Sequence, residues 1–187
     1  MVLLSACGTT ERTQADPHDP THFIELVQQT YQADYEPFDT PAALVADTDI
    51  EVTGVVASVT DGSVEETDVG PLHHVQIGIT PAGSSSQAST VYVELPRPEN
   101  WEIKKYADEL PVGSRIALMG YLPERAPKDK PFYVPAPQGL FVESVDGTLI
   151  CVLDNIDNID TFGPGWSSTR TMDDLGKVIG ASAAAQK

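Results

Sequence analysis

Four histidines, two cysteines and 28 carboxylate side chains are the groups in this 187-residue chain whose types can do chemistry, and their spacing limits what each can do. His73 and His74 are adjacent in an apolar alternating stretch, so in a strand their side chains leave on opposite faces and cannot share a metal. His18 and His22, with Asp16 and Asp19, offer nitrogen and oxygen donors, but Pro17 and Pro20 break any helix that would align them. The run Asp154-Asn155-Ile156-Asp157-Asn158-Ile159-Asp160 is rich in oxygen donors, and Asp154, Asp157 and Asp160 are its weak calcium candidates. Calcium takes about six to eight oxygens, and the run lacks the glycine and distal glutamate of a complete calcium loop. A solvated acidic helix end with Ile156 and Ile159 inward is therefore expected. Cys151 sits between Ile150 and Val152 with no histidine after it, the setting of a buried, inert thiol. Gly163-Pro164-Gly165-Trp166-Ser167 only superficially suggests a nucleophile turn, and Asp174-Leu175-Gly176-Lys177 lacks the rest of a phosphate loop. No catalytic residue, metal or cofactor is assigned.

Charge points to one region instead. The chain carries a net charge of −17 and a sequence pI near 4.3, which excludes generic capture of a nucleic-acid backbone, because that needs lysines and arginines to displace counterions. No Lys or Arg occurs from Thr13 to Pro96, whereas seven of the eleven basic residues lie between Arg97 and Lys130. Arg125, Lys128 and Lys130 form the densest cluster, beside Phe132 and Tyr133, in a loop stiffened by Pro123, Pro127, Pro131, Pro135 and Pro137. Rigid aromatics next to cations hold contact surface at low entropic cost, so this loop is the expected partner-binding surface, with Trp101 and Tyr106 as further contact candidates.

Cys7 has a separate use. Leu4-Ser5-Ala6-Cys7, behind an apolar start and ahead of a polar, Thr-rich stretch from Gly8 to Pro20, resembles the lipobox of bacterial lipoproteins. That resemblance implies cleavage before Cys7, a diacylglycerol on its thiol, and an extracytoplasmic, lipid-anchored protein of the bacterial cell envelope. Only six residues, none basic, precede Cys7, so 1–20 is read as a residual signal segment, the lipidation site and a tether. Apolar runs such as Ile116-Ala117-Leu118-Met119 are far shorter than the ~18–20 residues of a membrane-spanning helix.

The elements that would carry these groups follow from periodicity. Phe23, Ile24, Val27 and Tyr31 form the stripe of a helix capped by Thr21, and Pro37 and Pro41 mark a turn after it. Strands are expected over Ile50–Thr60, with Gly54 at a bend, then over Leu72–Thr80 and Thr90–Leu95. Asp61 to Pro71 reads as an acidic loop, Pro81 to Ser89 as a flexible one. A helix over Glu99–Asp108 precedes a strand over Arg115–Leu122, and Leu140–Glu143 and Thr148–Leu153 flank an Asp146-Gly147 hairpin turn. Thr171 caps a short helix bearing Leu175, Val178 and Ile179, and Ala181 to Lys187 reads as a disordered tail.

A bent first strand, two further strands, a helix between strands three and four, and a closing strand resemble the OB fold over about Asp49 to Leu153. The expected architecture is thus mainly β: a five-stranded OB-like antiparallel barrel with an N-terminal helix and a short C-terminal one. It forms a single domain over 21–166, followed by the helix and tail of 167–187. The functional expectation is a binding or interaction module, an accessory of a larger cell-envelope assembly, whose partners are the membrane through Cys7 and another envelope protein, with no nucleic acid. An envelope hydrolase with an unrecognised carboxylate site and a structural surface component are the alternatives.

Overall fold

The computed structural model describes residues 19–31, 35–82, 89–153 and 159–185. The chain runs α1 (Thr21–Gln28), α2 (Pro41–Asp47), β1 (Ile50–Thr67), β2 (Gly70–Pro81), β3 (Val91–Arg97), α3 (Ile103–Glu109), β4 (Arg115–Tyr121), β5 (Val134–Glu143), β6 (Leu149–Cys151), two 3-10 turns (Ile159–Phe162 and Pro164–Trp166) and α4 (Met172–Ala185). The six strands make one sheet of antiparallel ladders in the order β3-β2-β1-β4-β5-β6. The sixth strand arises because Leu149–Cys151 pairs onto the end of β5.

β1 serves both halves of the sheet. Its first residues pair with β4 and its remainder with β2, and Gly54 pairs with both, opposite Ile116 on one side and Pro81 on the other. A Cβ there would run into the Thr80 carbonyl, so the crossover admits only glycine without displacement of β2. At the far side, an isolated parallel bridge joins Val93 of β3 to Tyr133, just ahead of β5, through Tyr133 N–H to the Tyr92 carbonyl at 2.8 Å and Glu94 N–H to the Tyr133 carbonyl at 2.9 Å.

Two cores lie on the two faces of β4 and β5. Ile116, Leu118, Leu140 and Val142 join Val75, Ile77, Ile79, Val93 and Leu95, under Phe23 and Val27 of α1 and Tyr106 of α3. Ala117, Met119 and Phe141 face the other way, into a second core closed by Leu44 of α2, Trp166 and Leu175 of α4. Burial on both sides explains why Ile116 to Met119 is continuously apolar rather than alternating. Trp166 anchors the second core: its ring meets Phe162 edge-on at 5.2 Å and its Nε1–H donates to the Phe38 carbonyl at 2.8 Å.

Several expectations need correction. Asp61 to Pro71 is not a loop: β1 continues to Thr67 and returns through a tight turn, Thr67 pairing with Gly70. The proline-rich loop ends early, because Val134 to Gly139 belongs to β5, with Ala136 to Gly139 looped out between the Gly120–Pro135 and Leu118–Leu140 pairs. Pro41 starts a helix instead of a turn: Thr40 accepts the Ala43 N–H at 3.1 Å and Pro41 takes the first helical position, where no N–H is required. In α1 it is Asp19, not Thr21, that accepts a free amide, that of Thr21 itself at 3.0 Å. The last helix continues to Ala185, past the expected break at Ala181, and its Thr171 cap accepts the Asp174 N–H at 3.2 Å. No helix among the described residues is long and apolar enough to cross a membrane.

Candidate functional site

The β1–β2 ribbon carries a bulge at its middle: between the Asp61–Val75 and Val64–His73 pairs, Gly62 and Ser63 both oppose His74. A bulge removes an amide from the ladder and turns a side chain. Here the displaced Ser63 N–H donates to Glu94 Oε1 at 2.8 Å, and the Ser63 hydroxyl donates to Glu94 Oε2 at 2.6 Å. Gln76 Nε2 adds a third donor to Glu94 at 3.2 Å. Glu94 and His74 are both buried, and Gly62 fits between them because a Cβ would stand 3.0 Å from each. A buried carboxylate with three donors is the arrangement that makes its burial tolerable.

Ser63, His74 and Glu94 resemble a nucleophile with its base, but the hydrogen bonds exclude His74 as that base. His74 Nδ1 lies 3.0 Å from the Ser63 carbonyl, which only accepts, so Nδ1 carries the hydrogen and cannot take one from the Ser63 hydroxyl 3.4 Å away. The hydroxyl proton already points at Glu94. The cluster is a fastening of three strands, and Arg97 extends it: its guanidinium reaches Asp61 at 2.8 Å, the His74 carbonyl at 3.3 Å and the Trp101 carbonyl at 2.9 Å.

This fastened ribbon meets the proline-rich loop. Arg125 pairs with Glu65 of the ribbon and lies 5.3 Å over the Phe132 ring, while Lys130 Nζ stands 5.1 Å over Tyr92 of β3. Phe132 is buried and Tyr133 is half-buried against the first core, so these aromatics hold the loop down instead of presenting contact surface. Lys128 and Lys130 remain exposed. The loop and the ribbon thus form a single rim, acidic along the ribbon and mixed along the loop, where exposed Glu124 and Asp129 stand beside Lys128 and Lys130.

Trp101 and Tyr106 belong elsewhere, at the approach to α3 and within it, 6.2 Å apart and packed on the first core. Tyr106 is fully buried, its hydroxyl has no partner, and burial pushes it up to about 12 against the lowering influence of Arg97. Half-buried Trp101 carries Lys105 Nζ 3.8 Å above its ring. Cys7, His18, Asp154 and Asp157 lie outside the described residues, as does the side chain of Asp160. Among the described residues no group of three or more metal-binding side chains forms, and Cys151 is buried.

An open cavity of about 450 Å³ lies between the start of α1 and the β5–β6 turn, lined by Asp19, Thr21, Ser144, Asp146, Thr148 and Ile150 among others. Asp146 is held down at about 2 by hydrogen bonds from Ser144 and Thr148, the opposite of a proton donor. Burial raises Glu51 on β1, but Glu51 does not line this cavity.

Sequence reasoning missed Gly62, Ser63, Gln76 and Glu94. Asp61-Gly62 carries the same composition as a turn, and a single glutamate between Val93 and Leu95 has the pattern of an ordinary solvent-facing strand position. No known protein family, curated protein or solved structure matches the chain.

Proposed function

We propose that the chain is a lipid-anchored, extracytoplasmic binding module of the bacterial cell envelope, built on an OB-like barrel, whose partner surface is the rim made by the proline-rich loop and the β1–β2 ribbon. The observation that carries this reading is the Arg125–Glu65 pair, which joins two segments 60 residues apart across the end of the sheet. Support for the barrel comes from the strand order β3-β2-β1-β4-β5-β6, the sharing of β1 at Gly54, the Val93–Tyr133 bridge from edge strand β3 to the segment entering β5, and α3 between β3 and β4. A protein partner in the envelope fits better than a nucleic acid, since the net charge of −17 opposes a phosphate backbone. The hydrolase alternative gains no proton donor from Asp146, which is held ionised, and Glu94 is already engaged by three donors from Ser63 and Gln76.

The test has two arms. Intact mass of membrane-extracted protein is expected to show Cys7 as the first residue, bearing diacylglycerol, and Cys7→Ser to release the protein into the soluble fraction; an unmodified Cys7, or a Cys7→Ser variant still membrane-bound, overturns the anchor. Lys128→Ser with Lys130→Ser, both exposed and away from the Glu65 pair, is expected to lower the unfolding midpoint by no more than the loss of the Lys130–Tyr92 contact and to weaken co-purification with the native envelope partner. Unchanged co-purification places the binding surface elsewhere.

A further inference from the structure

β3 pairs with β2 only as far as Arg97 opposite His73, so the ribbon beyond that level, Glu65 to Leu72, stands past the sheet as a two-stranded arm with Val64 at its base. Its tip is rigid. Thr67 Oγ1 donates to the Gly70 carbonyl at 2.7 Å and accepts the Val69 N–H at 3.3 Å, and Gly70 takes a φ of +119°, a conformation that favours glycine. The root is fixed by the Ser63–Glu94 bonds and the flank by Arg125 on Glu65. On this braced arm Val69 is 99% exposed, Val64 55% and Leu72 38%. Glu66 and Asp68, both exposed, flank the apolar tip, and no basic residue lies on the arm.

A turn braced by its own hydrogen bonds while holding an aliphatic side chain wholly in water is pre-organised to insert it, since the ordering cost of binding is met in advance. We propose that the β1–β2 arm is a docking knob: Val69 enters a shallow apolar pocket of a partner protein whose rim is lined by lysine or arginine facing Glu66 and Asp68. The charges select this occupant. An anionic lipid surface repels Glu66 and Asp68, and a second copy has to approach against its own net charge of −17, its exposed Lys128 and Lys130 being offset by exposed Glu124 and Asp129.

This inference rests on the binding-module reading, and the experiment separates the two. Full-length protein with Val69→p-benzoylphenylalanine is photo-crosslinked in the native membrane, with Val112→p-benzoylphenylalanine, at another exposed valine, as the control. The expected result is a discrete protein adduct from position 69 and not from 112, mapping to a partner peptide whose surroundings carry Lys or Arg. Adding Glu66→Lys and Asp68→Lys is expected to reduce its yield about tenfold, the loss of a well-seated contact, with an unchanged unfolding midpoint showing that the fold survives. No adduct, an adduct only with lipid or with a second copy, or a protein adduct indifferent to charge reversal overturns the knob. If the knob fails while Lys128→Ser with Lys130→Ser still weakens partner co-purification, the module reading stands and only the arm is dismissed.

Discussion

Glu94 shows how a single side chain holds three strands in register. Its carboxylate receives the amide and hydroxyl of Ser63 from the β1 bulge and the amide of Gln76 from β2, while its own backbone accepts no freedom, because Glu94 N–H is bonded to the Tyr133 carbonyl. Glu94→Ala leaves those donors facing an apolar wall and is expected to destabilise the protein by about 3 kcal/mol, read as a lower denaturant midpoint. A change within error would mean that water replaces the carboxylate and the fastening is incidental. Asp146 makes a different prediction, about protons. Its native pKa of about 2 lies below the ordinary aspartate value of 3.8, so its turn bonds favour folding fully above about pH 4 and that contribution is lost as pH falls through about 2. The carboxyl carbon of Asp146, followed by NMR, should titrate near 2; a midpoint near 4 would show that the bonds to Ser144 and Thr148 do not persist in solution.

At the scale of elements, β1 depends on one small residue. Gly54→Val drives a branched side chain into the Thr80 carbonyl and the Ile79 methyl, and is expected to cost about 3 kcal/mol in chemical denaturation, through displacement of β2 from β1. An unchanged midpoint would mean that the two ladders separate without loss. Gly54 was legible in the sequence because it interrupts a β-branched run, Ile50 to Val59, where a glycine needs a structural reason. Strand positions, α3 and the α4 cap were legible for the same kind of reason, local periodicity and local caps. α2 was missed although its signal, Thr40 ahead of Pro41, is also local: proline was weighed as a turn former and not as a first helical residue. The ribbon from Asp61 to Pro71 reads as a loop because its acidic, glycine-containing sequence is shaped by distant partners, Glu94 at the bulge and Arg125 at the edge. Long-range pairings of that sort leave no periodic trace. Of the candidate surface, only exposure can be compared with the sequence: Lys128 and Lys130 stand exposed, whereas Phe132 and Tyr106 are buried, because side-chain polarity reports exposure better than aromatic character does.

Over the whole molecule, a charge of −17 on 187 residues sets a repulsion that acts through solvent on every folded form. The opposing ion pairs, such as Lys104–Asp108 and Lys177–Asp174, lie on the surface, where water and salt screen them, and contribute little each. Raising sodium chloride from about 20 to about 200 mM shortens the range of that repulsion and is expected to raise the thermal midpoint; a fall would mean that the pairs outweigh the net charge. The two-faced sheet has a further consequence, in time. The second core joins Leu44 and Val45, near the start of the domain, to Trp166, Met172 and Leu175 near its end, across β4 and β5. While the chain emerges from a ribosome, N-terminus first, one face of β4 therefore stays wet until the closing helix has followed it, so the first core, complete by Leu153, can close before the second, which waits for Leu175.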